Sequence, residues 1–184
     1  MVDIWARLEQ LPPVVDRVSS RSAVLVPLYE DGSGDVRIVL TKRPETMRTH
    51  PGDVVFPGGK IEPGESAVDA AIREAWEEIR LPFDASTILG GLDPVTTRVM
   101  TNWIVPVVAR IERPASFVPD PVEVDVIIEP PISELLVETS WRQERWMGRK
   151  LWFYEFPEGT LWGATAFMVQ QLLEHLRPEA PGVS

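Results

Sequence analysis

Apolar positions along the chain change period several times, and each change marks an element. Ala23-Val24-Leu25-Val26-Pro27-Leu28 is a compact apolar run and predicts a buried strand. Glu30 to Asp35 reads as a turn, and Val36 to Thr41 as the returning strand of a hairpin. From Val68 the period lengthens: Val68, Ala71, Ile72, Ala75 and Ile79 recur at helical spacing and predict a helix with one stripe on a core. Ser66 with Asp69 supplies its start signature, and Pro82 can stop it. Thr87 to Leu92 and Trp103 to Ile111 read as strands, with Asp93 to Asn102 a polar loop between them. In Pro119 to Ile128, Val122, Val124, Val126 and Ile128 alternate with Glu123 and Asp125, which predicts a half-buried strand. Ile132 to Leu136 suggests a helical turn, and Trp146 to Phe156 a hairpin turning at Gly148-Arg149-Lys150. Leu161 to Leu176 closes the pattern as an amphipathic helix, with Trp162 assigned to the core. At the front, Asp3 to Leu11 predicts a short amphipathic helix through Ile4, Trp5 and Leu8, stopped by Pro12-Pro13.

Composition narrows what such a chain can do. At 184 residues it suits one domain, residues 1–184, with a substantial core. A net charge of −10 argues against a nucleic-acid surface, which needs a basic footprint. A small anionic substrate remains compatible, because a bound divalent cation reverses the local sign. With no cysteine there is no disulfide or thiolate site, and a count of two histidines argues against a multi-histidine metal centre. The opening MVDIWARLEQ lacks the regions of a signal peptide, and no apolar run reaches membrane-spanning length, so a cytoplasmic protein without membrane partners is expected.

The chemistry gathers in Phe56 to Leu81. Its Gly- and Pro-rich opening reads as a loop, neither helix nor strand. The helix that follows carries Glu74, Glu77 and Glu78 within five residues. At roughly 100° per residue, Glu74 and Glu78 lie about 40° apart along one edge of the apolar stripe. Arg73, one turn before Glu77, is placed to pair with it. By itself Arg-Glu-Ala-Trp-Glu-Glu has the make-up of a solvated helix face. At the margin of a buried stripe, however, three carboxylates need a cation, and hard oxygen donors favour Mg²⁺ or Mn²⁺.

The wider spacing settles between these readings. Gly59, Glu65, Arg73-Glu74, Ala75, Glu77-Glu78 and Leu81 resemble the Nudix hydrolase box, G-x5-E-x7-R-E-U-x-E-E-x-G-U, where U is aliphatic. Every charged position is matched; Arg80 replaces the second glycine, which leaves the helix terminus as the open point. Upstream, Leu40-Thr41-Lys42-Arg43, Arg48, Gly52 and Phe56-Pro57-Gly58-Gly59 are similar to the motif of the coenzyme A diphosphatase branch, with Val39 and Pro44 as departures. The segment Trp162-Gly163-Ala164-Thr165-Ala166 also resembles one near the end of those enzymes.

The resemblance implies an α/β fold, the Nudix α/β/α sandwich with a mixed β-sheet between helices, in agreement with the elements read above. It implies Mg²⁺- or Mn²⁺-dependent hydrolysis of the diphosphate of coenzyme A or its acyl derivatives, to 3′,5′-ADP and 4′-phosphopantetheine. Glu74, Glu77 and Glu78 would hold metal, with the Gly58 carbonyl and Glu65 assisting, and Arg73 would orient the carboxylates. A general base would be a box glutamate or Glu123, since family members often place an extra glutamate outside the box. Arg43, Arg48, Gly52 and Phe56 would serve substrate, the arginines through forks suited to phosphate oxygens. His50 is read as a loop residue or hydrogen-bond partner. The rival readings are a Nudix hydrolase of nucleoside triphosphates or ADP-ribose, and a non-catalytic Nudix-fold nucleotide sensor. Homodimer formation is left open.

Overall fold

The computed structural model describes residues 3–16, 20–96 and 102–177. Along the chain, α1 (Ile4–Leu8) leads to β1 (Ser20–Glu30), then to β2 (Val36–Ile38), β3 (Leu40–Lys42), β4 (Val54–Val55) and β5 (Gly58–Lys60). Next come α2 (Ala67–Ile79), β6 (Ser86–Gly91), β7 (Val95–Thr96), β8 (Trp103–Ile111), β9 (Val126–Ile128) and α3 (Ile132–Leu135). The chain closes with β10 (Arg142–Trp146), β11 (Arg149–Glu155), β12 (Thr160–Leu161) and α4 (Gly163–Leu176).

β1 is the axis of the main sheet, and its length explains the arrangement. One edge pairs parallel with β8, while the other takes two short antiparallel strands end to end, β5 at Ser22–Val24 and β2 at Leu28–Glu30. β8 in turn takes β6 and β7 antiparallel along its far edge, so the sheet is mixed. The pleat sends alternate side chains to opposite faces. Ala23, Leu25, Val105, Val107 and Ala109 meet α2 on one face. Val26, Leu28 and Val108 meet Leu8 of α1 and Met168, Val169, Leu172 and Leu173 of α4 on the other. The result is an α/β/α sandwich, in which each fully buried aliphatic side chain contributes about 1.5–3 kcal/mol.

Several predicted elements take a different form. Val36 to Thr41 is two strands, because the ladder breaks at Val39. The Val39 N–H bonds the Pro27 carbonyl, but Pro27 has no N–H to return the bond. β3 therefore leaves the main sheet and pairs with β4 and β9 in a second one. The Gly-rich opening of the Phe56–Leu81 stretch contains a strand after all, β5, held against β1. The buried line of α2 runs through Ala67, Ala70, Ala71, Ala75, Glu78 and Ile79, which leaves Val68 and Ile72 only partly covered.

Pro119 to Ile128 is a strand only from Val126. Upstream, the Asp120 carboxylate accepts the Val122 N–H (2.9 Å), and the Asp120 carbonyl accepts the Glu123 and Val124 N–H groups, which bends the chain into a turn. The hairpin at 142–155 turns at Met147-Gly148, both at positive φ, as a two-residue turn requires. Trp162 is exposed at the start of α4 rather than in the core. Within the predicted polar loop, Val95–Thr96 forms β7, and residues 97–101 lie outside the described residues.

Candidate active site

The site is made where α2 lies across β5. Four alanines on its buried side, Ala67, Ala70, Ala71 and Ala75, let the helix backbone approach the sheet closely. Two glycines complete the approach. A Cβ on Gly58 would strike the Ala23 carbonyl and Val24, and one on Gly59 would strike the Glu74 carboxylate. The helix begins with a capping box, Ser66 Oγ accepting the Asp69 N–H at 3.1 Å and the Asp69 carboxylate accepting the Ser66 N–H at 3.4 Å. It ends at Arg80, which adopts the left-handed conformation itself (φ 56°) and returns its N–H to the Trp76 carbonyl. The arginine thus does the conformational work of the missing box glycine. Its guanidinium lies over the Trp76 ring at 5.5 Å, a contact that offsets part of the strain.

Arg73 is the hub of one half of the site. Its Nε and Nη2 form a fork on Glu65 (2.8 and 3.1 Å), and Nη2 also bonds the Lys60 carbonyl (2.9 Å). Nη1 reaches Glu74 at 2.9 Å and Glu77 at 3.2 Å. Arg73 therefore ties the β5 loop to the helix, and three carboxylates share one cation. Hydrogen bonding from Arg73 holds the Glu65 carboxyl below its ordinary range. Glu74 is pushed up by burial, against the pull of Arg73. Glu77 is exposed on the outer edge.

Glu78 is different. It is buried, 4 % exposed, and among the described residues no cation lies within ion-pair distance of it. Burial, then the charges of Glu123 and Glu74, push its pKa up to about 8, while the Gly58 N–H and Arg43 pull weakly the other way. Glu123 itself is exposed in the turn after Asp120. That turn is fastened to the end of α2, with the Val118 and Asp120 N–H groups bonding the Ile79 and Glu78 carbonyls (3.1 and 2.8 Å). The fastening brings Glu123 into the electrostatic reach of Glu78.

The other predicted residues divide. Arg43 follows β3, bears on Glu78 and has a buried Nε without a protein partner. Arg48 is exposed in the loop between β3 and β4. Gly52 has φ 69° and packs on the Glu45 carboxylate. Phe56 is buried in the core. His50 Nδ1 lies 3.0 Å from Asp53.

Among the described residues no three acidic or histidine side chains stand close enough to enclose a cation. The reason lies in Arg73, which draws Glu65, Glu74 and Glu77 onto its guanidinium. The donors nevertheless suit a hard divalent ion: carboxylates at a Cβ-free loop, with a buried carboxyl at Glu78 whose ionised form lacks a cation partner among the described residues. Sequence reasoning missed Asp120 and Asp53, whose backbone and side-chain bonds hold the site's loops. A turn-forming Asp was the one available signal.

A mixed sheet between helices, with a carboxylate-bearing helix laid on a glycine pair, defines the class: an α/β/α hydrolase of the Nudix type. Residues 19–151 match the model described as the NUDIX domain, and the chain belongs to that family. An uncharacterized Nudix hydrolase NudL of Photorhabdus laumondii is 32% identical over 176 residues, 91% of this chain and 92% of that one. The peroxisomal coenzyme A diphosphatase ndx-8 of Caenorhabditis elegans is 35% identical over 163 residues, 85% of this chain and 68% of its own. Among solved structures, the Nudix hydrolase RenU of M. smegmatis aligns with a TM-score of 0.55 at 21% identity, over 64% of this chain and 73% of that one, a likeness of fold alone. Among the described residues no helix is long and apolar enough to cross a membrane.

Proposed function

We propose that this chain hydrolyses the diphosphate of coenzyme A or its acyl derivatives, using Mg²⁺ or Mn²⁺ and releasing 3′,5′-ADP and 4′-phosphopantetheine. The observation that carries the reading is the buried Glu78, within the electrostatic reach of Glu74, Glu123 and Arg43, the last with a buried Nε that has no protein partner. The similarity to a coenzyme A diphosphatase supports the choice of substrate. Residues 1–184 are taken as one catalytic domain, because α1 and α4 close the same core as the main sheet.

Glu74 and Glu78 would hold the cation, with Glu77, the Gly58 carbonyl and Glu65 completing or supporting the shell. When bound, such an ion neutralises phosphate oxygens and lowers the pKa of water. The chain's own groups do the rest. Arg73 fixes Glu65 and Glu74 against the β5 loop, so the carboxylates are positioned before substrate arrives. Glu123 is solvent-accessible and can accept the proton that the attacking water loses as the P–O–P bond breaks. Arg43 would grip the diphosphate, and exposed Arg48 the 3′-phosphate, through charge-assisted bonds.

The test is a product analysis with coenzyme A, dephospho-coenzyme A, ADP-ribose and nucleoside triphosphates, each with Mg²⁺ or Mn²⁺. Coenzyme A should be the best substrate, ahead of dephospho-coenzyme A by about ten- to a hundredfold in kcat/KM, the worth of one charged hydrogen bond. Arg48→Ala should erase most of that preference. A preference for ADP-ribose or a triphosphate overturns the substrate assignment, and full turnover in excess chelator overturns the metal.

A further inference from the structure

Asp53 joins three segments that are far apart in sequence. Its carbonyl accepts the Arg43 N–H at 3.0 Å, one step beyond the Lys42–Val54 pair that ends the β3–β4 ladder. Its Oδ1 accepts the indole Nε1–H of Trp162 at 3.1 Å, from 109 residues further along the chain. Its Oδ2 lies 3.0 Å from His50 Nδ1. Arg43 and Asp53 therefore close the base of the loop 44–52, and Arg48 stands exposed within it.

That loop has few holds of its own. Within it the Met47 N–H bonds the Pro44 carbonyl at 3.1 Å, and Lys42 reaches Glu45 at 3.4 Å. His50 and Gly52 are both left-handed, at φ 53° and 69°. For His50 this conformation is strained and needs support from outside. The support comes from the segment before α4. Trp162 lies parallel to Phe153 (ring planes 2° apart, centroids 6.5 Å), which fixes the direction of its N–H. Gly159 lies beside Val54 and the Gly52 carbonyl, where a Cβ would make ordinary contacts at 3.4 and 3.7 Å.

We propose that Trp162 and Asp53 form a latch that sets the loop carrying Arg48, and so act as positioning residues for the substrate phosphate remote from the hydrolysed bond. The role of the latch in catalysis rests on the coenzyme A reading; its role in holding the loop does not. An indole N–H on a carboxylate anchors the loop from the start of α4, an element apart from α2, which carries Glu74 and Glu78. Loss of the latch should therefore weaken binding and leave the chemical step alone.

Two variants separate the donor from the ring and the charge from the acceptor. Trp162→Phe keeps an aromatic face and removes the N–H; Asp53→Asn keeps an Oδ1 to accept it. The first readout needs no substrate: native-state trypsin cleavage after Arg48, located by mass spectrometry. Cleavage should be about tenfold faster in Trp162→Phe, as expected when one charge-assisted bond is lost, and intermediate in Asp53→Asn, which keeps the acceptor but not its charge. Equal rates in wild type and Trp162→Phe overturn the latch. The second readout is kinetic. Trp162→Phe should raise KM for coenzyme A about tenfold with kcat within about twofold, and should leave KM for dephospho-coenzyme A unchanged. An equal rise for both substrates, or a normal Trp162→Phe beside an impaired Trp162→Ala, overturns the positioning role, the latter in favour of direct stacking on the ring. If the wild type leaves coenzyme A intact, the substrate reading falls while the cleavage rates still decide the latch.

Discussion

One helix presents carboxylates in two opposite states. Glu74 and Glu77, with Glu65 from the preceding loop, converge on Arg73 and share its charge. Glu78, one turn after Glu74, is more deeply buried than any of them and has only weak pulls from Gly58 and Arg43 to set against two neighbouring carboxylates. The first group is a clamp that holds the loop to the helix whether or not a ligand is present. The second is a position that is unfavourable when ionised alone, and on the proposed reading a bound cation would reverse that. Ionising such a buried carboxyl without a partner is costly, and this is why its pKa is pushed up. On the reading proposed above, the difference separates the carboxylate whose removal should cost the chemistry from the cation whose removal should cost the architecture.

The largest expected effect breaks the comparison at Glu78. Glu78→Gln keeps the shape and removes the charge, and kcat should fall by about 10²-fold or more while the protein stays folded. Circular dichroism and steady-state rates check this together. Near-normal turnover would place the essential carboxylate elsewhere.

Next in size is the pH dependence of stability in chelator. The folded pKa of Glu78 lies near 8, above its ordinary 4.5, so the folded state holds the proton more tightly than the unfolded state. Its contribution is full below about pH 4.5 and is lost as pH rises through 8. Between pH 5 and pH 7 this removes roughly 2–3 kcal/mol, and Glu74, also raised, acts in the same direction. Thermal melts across that window should show the decline in wild type and a much flatter line in Glu78→Gln. Parallel lines would contradict the contrast.

Removing the clamp's cation should cost less in rate. Arg73→Ala leaves Glu65 and Glu74 without their shared partner, and kcat/KM should drop about tenfold as the loop and helix lose their register, with a lower melting temperature. Arg73→Lys should recover little, since a lysine cannot reproduce the fork on Glu65. The smallest effect lies just past the helix. Arg80→Gly relieves a left-handed non-glycine residue and should raise stability by about 0.5–1 kcal/mol, less what the Trp76 contact returns. Activity should not move.

Much of α2 was legible in the sequence because its signals are local. The Ser66–Asp69 box, the stripe around Ala71, Ala75 and Ile79, and the Arg73–Glu77 spacing all act within two turns of helix. What was not legible depends on partners distant in the chain. The break at Val39 follows from a missing N–H on Pro27, a residue of another strand. The alternation of Val122 to Ile128 has a strand's period, yet Asp120 uses its carboxylate and carbonyl to fold the first half into a turn. Glu123 therefore nears Glu78 from a loop fastened to the helix end rather than from a sheet face. Trp162 looked like core by hydrophobicity, but its indole N–H is committed to Asp53 at the surface. Arg43 and Arg48 read as a matched pair in the motif, and the fold separates them, one beside Glu78 and one on an open loop.

The central claim is that Glu78 is the seat of the divalent cation, and Mn²⁺ binding tests it without recourse to turnover. Free Mn²⁺ can be counted by electron paramagnetic resonance as it is titrated into wild type, Glu78→Gln and Glu77→Gln at neutral pH. Wild type should bind, Glu78→Gln should lose at least about tenfold in affinity, and Glu77→Gln, whose carboxylate is exposed and paired with Arg73, should lose less. Equal affinity in wild type and Glu78→Gln would contradict the account.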